Sequence, residues 1–266
     1  MVRFKLIIRQ NFKIDSGDNV FLSGAIFKPA INDIHYNQSV IICHGMPSYK
    51  SNATDSDTNS TEEISYIDLA EWFALEGITA VIFNFRGTGE SGGNFHHMGW
   101  VQDLNAVIDW LLAGNHVHPD KICLLGSSLG AAVAIYVTAH RKEIAGTVSF
   151  ASPATMGSIE NPERSLNRYK SMGIIRDDEF PVSLQDWAAE PQELDPSKWV
   201  GHIHPRPLLL LHGTEDTVVD PKALQILQDR SGNKTQSRLI AGVEHRFRSE
   251  PEVMKISIEW LKNLFI

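Results

Sequence analysis

Residues 121–140 read KICLLGSSLGAAVAIYVTAH. Ile122 to Leu125 is a short apolar run bounded by a turn signal, the pattern of a buried strand. Ala131–His140 is small and apolar at helical spacing. Between the two lies Gly126-Ser127-Ser128-Leu129-Gly130, a G-x-S-x-G with Ser128 at its centre. A serine hydroxyl is a weak nucleophile until it is lifted clear of its neighbours and handed to a base. A sharp strand-to-helix turn does the lifting and holds the serine in a strained conformation. Neighbouring strands crowd such a turn, so Gly126 and Gly130 carry no side chain. The following helix aims its free N–H groups at the reaction centre, which makes the Leu129 N–H an expected oxyanion donor. Ser127 lacks the symmetric glycines and reads as a neighbour.

On either side of this stretch, strands alternate with helices. Val2–Ile14 and Val20–Lys28 read as strands around the turn Asp15-Ser16-Gly17-Asp18. Ser39–Cys43 (SVIIC) and Ile78–Phe83 are continuous apolar runs, as buried central strands should be. Glu62–Glu76 and Trp100–Leu112 carry helical periodicity, and Ser48–Thr61 is polar and loop-like. Ala145–Phe150, Arg206–Leu211 and Ser237–Ala241 are further strands; Pro221–Asp229 and Pro251–Phe265 are helices. This rhythm predicts an α/β fold: a mostly parallel sheet covered by helices on both faces, with ligands bound beyond the carboxyl ends of the strands. Residues 152–203 break the rhythm with scattered helical patches and aromatics. They are expected to form a small helical cap within a single domain spanning 1–266.

His44-Gly45 follows a predicted central strand. The glycine permits a sharp turn, so the Met46 N–H can face the elbow as a second oxyanion donor, while His44 and Gly45 sit where substrate would lie. From the cap, Trp187 is the expected substrate contact. Ser128 also needs a base and an orienter. Of eleven histidines, His245 falls in the loop after the last predicted strand. Glu215 and Asp216 both follow the strand before it.

The composition narrows the function. The net charge of −8 and the lack of a basic stripe argue against nucleic acid. No apolar run of membrane-spanning length occurs, and the N-terminal patch is broken by Arg9. Cys43 and Cys123 fall in apolar strands and read as buried thiols, which suggests the cytoplasm. Four N-x-[ST] sequons, at Asn37, Asn52, Asn59 and Asn233, carry no weight without a secretory signal. The glycines after Phe83 do not have phosphate-loop spacing. His202-x-His204 could chelate a metal on a strand, but no third ligand is evident. Neither metal nor cofactor is implied, and the sequence is compatible with a homodimer.

Taken together, GSSLG, HGMP, HGTEDTVV and GVEHRF resemble the α/β-hydrolase superfamily. NFRGTGESGGNFHHM followed by WVQDLNAVIDWL resembles its feruloyl/cinnamoyl-esterase-like and serine-aminopeptidase-like branch. The resemblance covers roughly Val20 to Ile266 and is weakest in the cap. Asn84 stands where many relatives carry Asp, a position that supports a loop. The resemblance implies Ser128 as nucleophile, His245 as base, Asp216 rather than Glu215 as orienter, and the Met46 and Leu129 N–H groups as the oxyanion hole. The expected activity is hydrolysis of small to medium esters, aryl or hydroxycinnamoyl esters among them. Alternatives on the same three residues are a thioesterase, an amidase or an aminopeptidase, the last needing cap carboxylates to hold an ammonium group. A non-catalytic ligand sensor on the same fold is the alternative of another class.

Overall fold

A computed structural model describes residues 6–30, 38–47 and 65–265. The polar stretch expected as a loop, and the start of the helix expected from residue 62, lie outside the described residues. So does the beginning of the first expected strand.

Eight strands form one sheet in the order β1-β2-β4-β3-β5-β6-β7-β8. β1 (Ile7–Asp15) and β2 (Phe21–Pro29) form an antiparallel hairpin, and β2 pairs antiparallel with β4. β3 (Ser39–Cys43), β4 (Thr79–Phe83), β5 (Ile122–Ser127), β6 (Ile144–Phe150), β7 (Leu208–Gly213) and β8 (Thr235–Ile240) run parallel. The hairpin turn takes Asp18 and Asn19 through positive φ, which these residues tolerate. Along β2, Leu22 and Ile26 enter one apolar layer while Ala25 and Phe27 enter the other. This follows the period-two alternation expected from sequence.

Both faces are covered. α2 (His97–Ala113) and α3 (Leu129–His140) pack on one side, α1 (Tyr66–Leu75) and α8 (Pro251–Asn263) on the other. The central strands therefore read as unbroken apolar runs: every residue of β3 and β7 is buried. α1 begins in a capping box in which Ser65 and Asp68 satisfy each other's end groups. α7 (Lys222–Arg230) lies after β7. Among the described residues no helix is long and apolar enough to cross a membrane.

The chain between β6 and β7 carries α4 (Pro162–Ser171), α5 (Leu184–Ala189) and α6 (Pro196–Trp199). Having no strand of its own, this segment is fixed by contacts to the loop after β4. The Phe95 N–H donates to the Ile174 carbonyl at 2.8 Å. The Arg176 guanidinium donates to the Gly87, Gly89 and Ser91 carbonyls. His202 and His204 lie on no strand: His202 belongs to a 3-10 turn, Val200–Ile203, and His204 follows it. The apolar strand starts only after Pro205 and Pro207, which cannot donate to a ladder.

Candidate active site

Because six strands are parallel, their carboxyl ends share one rim. His44, Arg86, Ser128 and Asp216 all follow such ends, and His245 follows β8. Ser128 has φ 54° and ψ −120°, a sparsely populated conformation for a residue with a side chain. It is held there by its N–H, which donates to the Phe150 carbonyl at 2.8 Å. The flanking glycines are required by contact: a Cβ at Gly126 would run into Gly130 and Ala131, and one at Gly130 into the backbone of Cys43 and His44. Leu129 opens α3, so its N–H has no carbonyl within the helix to bond.

The loops after β7 and β8 are laced together. The Thr214 N–H donates to the Ile240 carbonyl and the Glu215 N–H to the Val243 carbonyl, both at 3.0 Å. The lacing sends Asp216 inward and Glu215 outward. Asp216 Oδ2 lies 2.8 Å from His245 Nδ1 and 3.1 Å from His212 Nε2. Its other oxygen accepts from the N–H groups of Val218 and Val219, both at 2.9 Å. Burial alone would raise the Asp216 pKa. The bonds from Val219, His245 and Val218 outweigh it and hold the carboxylate below its usual range. The side chain is fully buried, so its oxygens are spent on orienting neighbours.

His44 organises the facing turn. The Phe85 N–H donates to its Nε2 at 3.3 Å, which leaves the proton on Nδ1, 2.7 Å from the Gly45 carbonyl. Burial lowers its pKa to about 4; the bond to Gly45 opposes this and the Arg248 charge adds to it. A neutral, fixed His44 thus pins Gly45, and Met46 follows on the wall of the site. The Gly45 N–H donates to the Tyr66 hydroxyl at 3.4 Å, and Arg248 lies 5.0 Å over the Tyr66 ring.

These groups surround a cavity of about 510 Å³, a size suited to a small organic substrate. His44, Gly45, Met46, Ser128 and His245 all line it. Among the described residues no hydrogen bond joins the Ser128 hydroxyl to His245. Hydrogen bonds between a nucleophile and its base are often long in ligand-free structures. Trp187 does not line the cavity. It is buried in the core layer under α4, near Tyr169 with ring centroids 6.0 Å apart. An indole on a short helix with no sheet of its own contributes more by filling that layer than by facing solvent. The segment instead gives Arg168 and Met172 to the cavity. Tyr66, Arg168, Arg246 and Arg248 were missed in sequence. The alternation His245-Arg246-Phe247-Arg248 was a usable signal for the last two, whereas nothing local marks Tyr66 or Arg168.

Residues 65–265 match the model of the prolyl oligopeptidase family. The chain belongs to this family. The fold is that of the α/β-hydrolases, the superfamily that the sequence motifs resemble. An uncharacterized protein of Mycobacterium tuberculosis, Rv2307c, is 28% identical over 191 residues, covering 63% of each chain. YfhR of Salmonella typhi is 25% identical over 159 residues, covering 57% of this chain and 49% of its own. The chain thus spans about half to two thirds of the length of these two relatives. Among solved structures, the α/β hydrolase GrgF of Penicillium superposes with a TM-score of 0.73 at 17% identity, covering 97% of this chain and 99% of its own. The Pyrococcus furiosus esterase Pf2001 gives 0.67 at 24% identity, covering 98% and 94%.

Proposed function

We propose that this chain is a serine hydrolase cleaving carboxylic esters of small to medium substrates through an acyl-enzyme. The observation that carries the reading is that His245, backed by the buried Asp216 at 2.8 Å, lines the same cavity as the strained Ser128. In this reading His245 Nε2 takes the Ser128 proton as Oγ attacks the ester carbonyl. The oxyanion rests on the Met46 and Leu129 N–H groups. His245 then gives its proton to the departing alcohol, the carbonyl re-forms, and water activated by His245 releases the acid. Asp216 holds the imidazole with its proton on Nδ1 and stabilises it when charged. The chemistry needs no metal or cofactor.

An ester fits better than a peptide held by its N-terminus. That alternative needs carboxylates from the cap, and Glu244, which lies outside it, is the one carboxylate on the cavity wall among the described residues. The matching family is named for a peptidase and a structural neighbour is an esterase, so the substrate decides. The reading includes one domain with residues 152–203 as its cap, and a cytoplasmic setting, supported by the buried, unpaired thiols Cys43 and Cys123.

A fluorophosphonate probe tests the reading. The wild type should label at Ser128 and turn over p-nitrophenyl acyl esters; Ser128→Ala should not label and should lose on the order of 10³-fold or more of turnover. An unlabelled wild type, or a Ser128→Ala protein that retains most of its turnover, overturns it. Aminoacyl-anilides and acyl-CoAs assayed beside the esters separate amidase and thioesterase activity.

A further inference from the structure

His212 lies near the carboxyl end of β7, a strand buried along its whole length. It does not line the cavity, and its side chain is only 2% exposed, against 20% for His245. Its ring stands edge-on to Phe247, with centroids 6.4 Å apart. A ring so enclosed cannot pass a proton to substrate or water. It can still hold its neighbours. Its Nε2 has two of them, the Val219 carbonyl at 3.0 Å and Asp216 Oδ2 at 3.1 Å.

Both neighbours accept and neither donates, because the Asp216 carboxyl is held in its ionised form. Nε2 therefore carries the proton and shares it between them. The Val219 peptide is gripped from both sides: its N–H donates to Asp216 Oδ1, and its carbonyl accepts from His212. The carboxylate thus takes the N–H groups of Val218 and Val219 on Oδ1 and two imidazoles, His245 and His212, on Oδ2. Of those two rings only His245 reaches the cavity. A donor on a carboxylate oxygen stabilises its charge and leaves less of it for a second donor on that oxygen.

We propose that His212 is a positioning residue of this site: its Nε2–H fixes the direction of Asp216 Oδ2 and moderates the pull of that oxygen on the His245 proton. This rests on the hydrolase reading above and adds a fourth residue to it. With the Nε2–H removed, Oδ2 serves His245 alone, and the charged imidazole gains the stronger bond. His245 is then captured as imidazolium at a higher pH, where it no longer acts as a base. The other ionisable groups on the cavity wall are His44, Tyr66, Arg168, Glu244, Arg246 and Arg248. They are the same in the wild type and in the variants below, so a changed pH response reports on the lost donor.

The test is the acid limb of kcat/KM for p-nitrophenyl butyrate, measured from about pH 5 to 8, which reports the base of the free enzyme. His212→Phe keeps the ring's bulk and removes the donor; its limb should move up by roughly half to one pH unit. His212→Gln can place an amide N–H where Nε2 stood, and its limb should stay at the wild-type position. Urea unfolding checks that both variants are folded. If His212→Phe does not fold, His212→Asn, whose amide stops short of Asp216, takes its place. A limb that does not move in the donor-less variant, or that moves equally in His212→Gln, overturns the role, because a purely structural histidine lowers stability and rate without moving the limb. The intact wild type supplies an independent check: nitrogen-15 histidine spectra at neutral pH should show His212 protonated on Nε2, and a bare Nε2 overturns the role without any variant. If the fluorophosphonate probe labels Ser128 while these results go against His212, the hydrolase reading stands and the positioning role falls. If Ser128 does not label, both fail together.

Discussion

Among the described residues, two imidazole–carboxylate pairs form through Nδ1 at nearly the same length, while His212 approaches Asp216 through Nε2. His245 meets Asp216 at 2.8 Å, and His96 meets Glu190 at 3.0 Å, each through Nδ1. What differs is the other side of the ring. The second nitrogen of His96 lies 3.0 Å from Arg86 Nη1. Arg86 is itself locked by its Nε and Nη2 to the buried Asp103, whose second oxygen takes the Arg86 N–H. That network joins the loop after β4, α2 and the segment before β7, and its imidazole has no freedom to exchange a proton with a substrate. His245 sits on the cavity wall beside Ser128. A carboxylate behind a histidine is therefore not enough to make a base; what faces the far nitrogen decides.

Breaking each pair should give opposite signatures. His245→Ala should cost on the order of 10³-fold or more in ester turnover while the urea midpoint falls only modestly, because Val218, Val219 and His212 still hold the Asp216 carboxylate. His96→Ala should stay within about tenfold in turnover and lose roughly 1–2 kcal/mol of stability, because it removes bonds that fix the fold. Equal activity losses would dissolve the distinction. The next effect in size is structural. Arg86→Leu strands the Asp103 carboxylate in the core and should destabilise by roughly 3–5 kcal/mol in urea unfolding, more than His96→Ala does.

Acid sharpens the contrast more gently. Burial would raise the Glu190 pKa, but the His96 bond and charge and the Met98 N–H outweigh it, so the folded value lies below the usual carboxylate range, as at Asp216. A carboxylate depressed in the folded state contributes stability above its unfolded pKa of about 4, and that contribution fades as pH falls through the folded value. Both pairs should therefore hold at neutral pH and fail below about pH 4. Two buried histidines act earlier. Burial lowers His44 and His97 to about 4 each. Between that value and the unfolded value of about 6.5, the unfolded chain binds protons the folded one refuses, so stability declines as pH drops through this window. Urea midpoints from pH 7 to 3 should show an upper limb from the histidines and a lower one from the carboxylates. His97→Phe should flatten the first and Glu190→Gln the second.

Much of this was legible from short spacings. The GSSLG turn, the unbroken apolar strands and the strand–helix rhythm depend on neighbours a few residues apart, and periodicity reports such relations directly. Helix ends shifted by one to three residues where caps override periodicity; α2 starts at His97, just after its cap residue His96 and before the apolar stripe begins at Trp100. Ser128, the pair Glu215 and Asp216, and His245 were readable as candidates as well, because each follows a strand end, and the family resemblance implied Asp216.

What the sequence alone determined was the layered sheet, the strained turn at Ser128 and the short set of groups at its rim. Only the tertiary structure decided that Asp216 and not Glu215 turns inward to His245, that Trp187 fills the core rather than the cavity, that His96 is sealed by Arg86, and that Arg168 joins Arg246 and Arg248 at the mouth. The reason is physical. Local pattern fixes which face a side chain takes on its own element, but its partner lies tens of residues away and is chosen by how the elements pack and how buried charges must be satisfied.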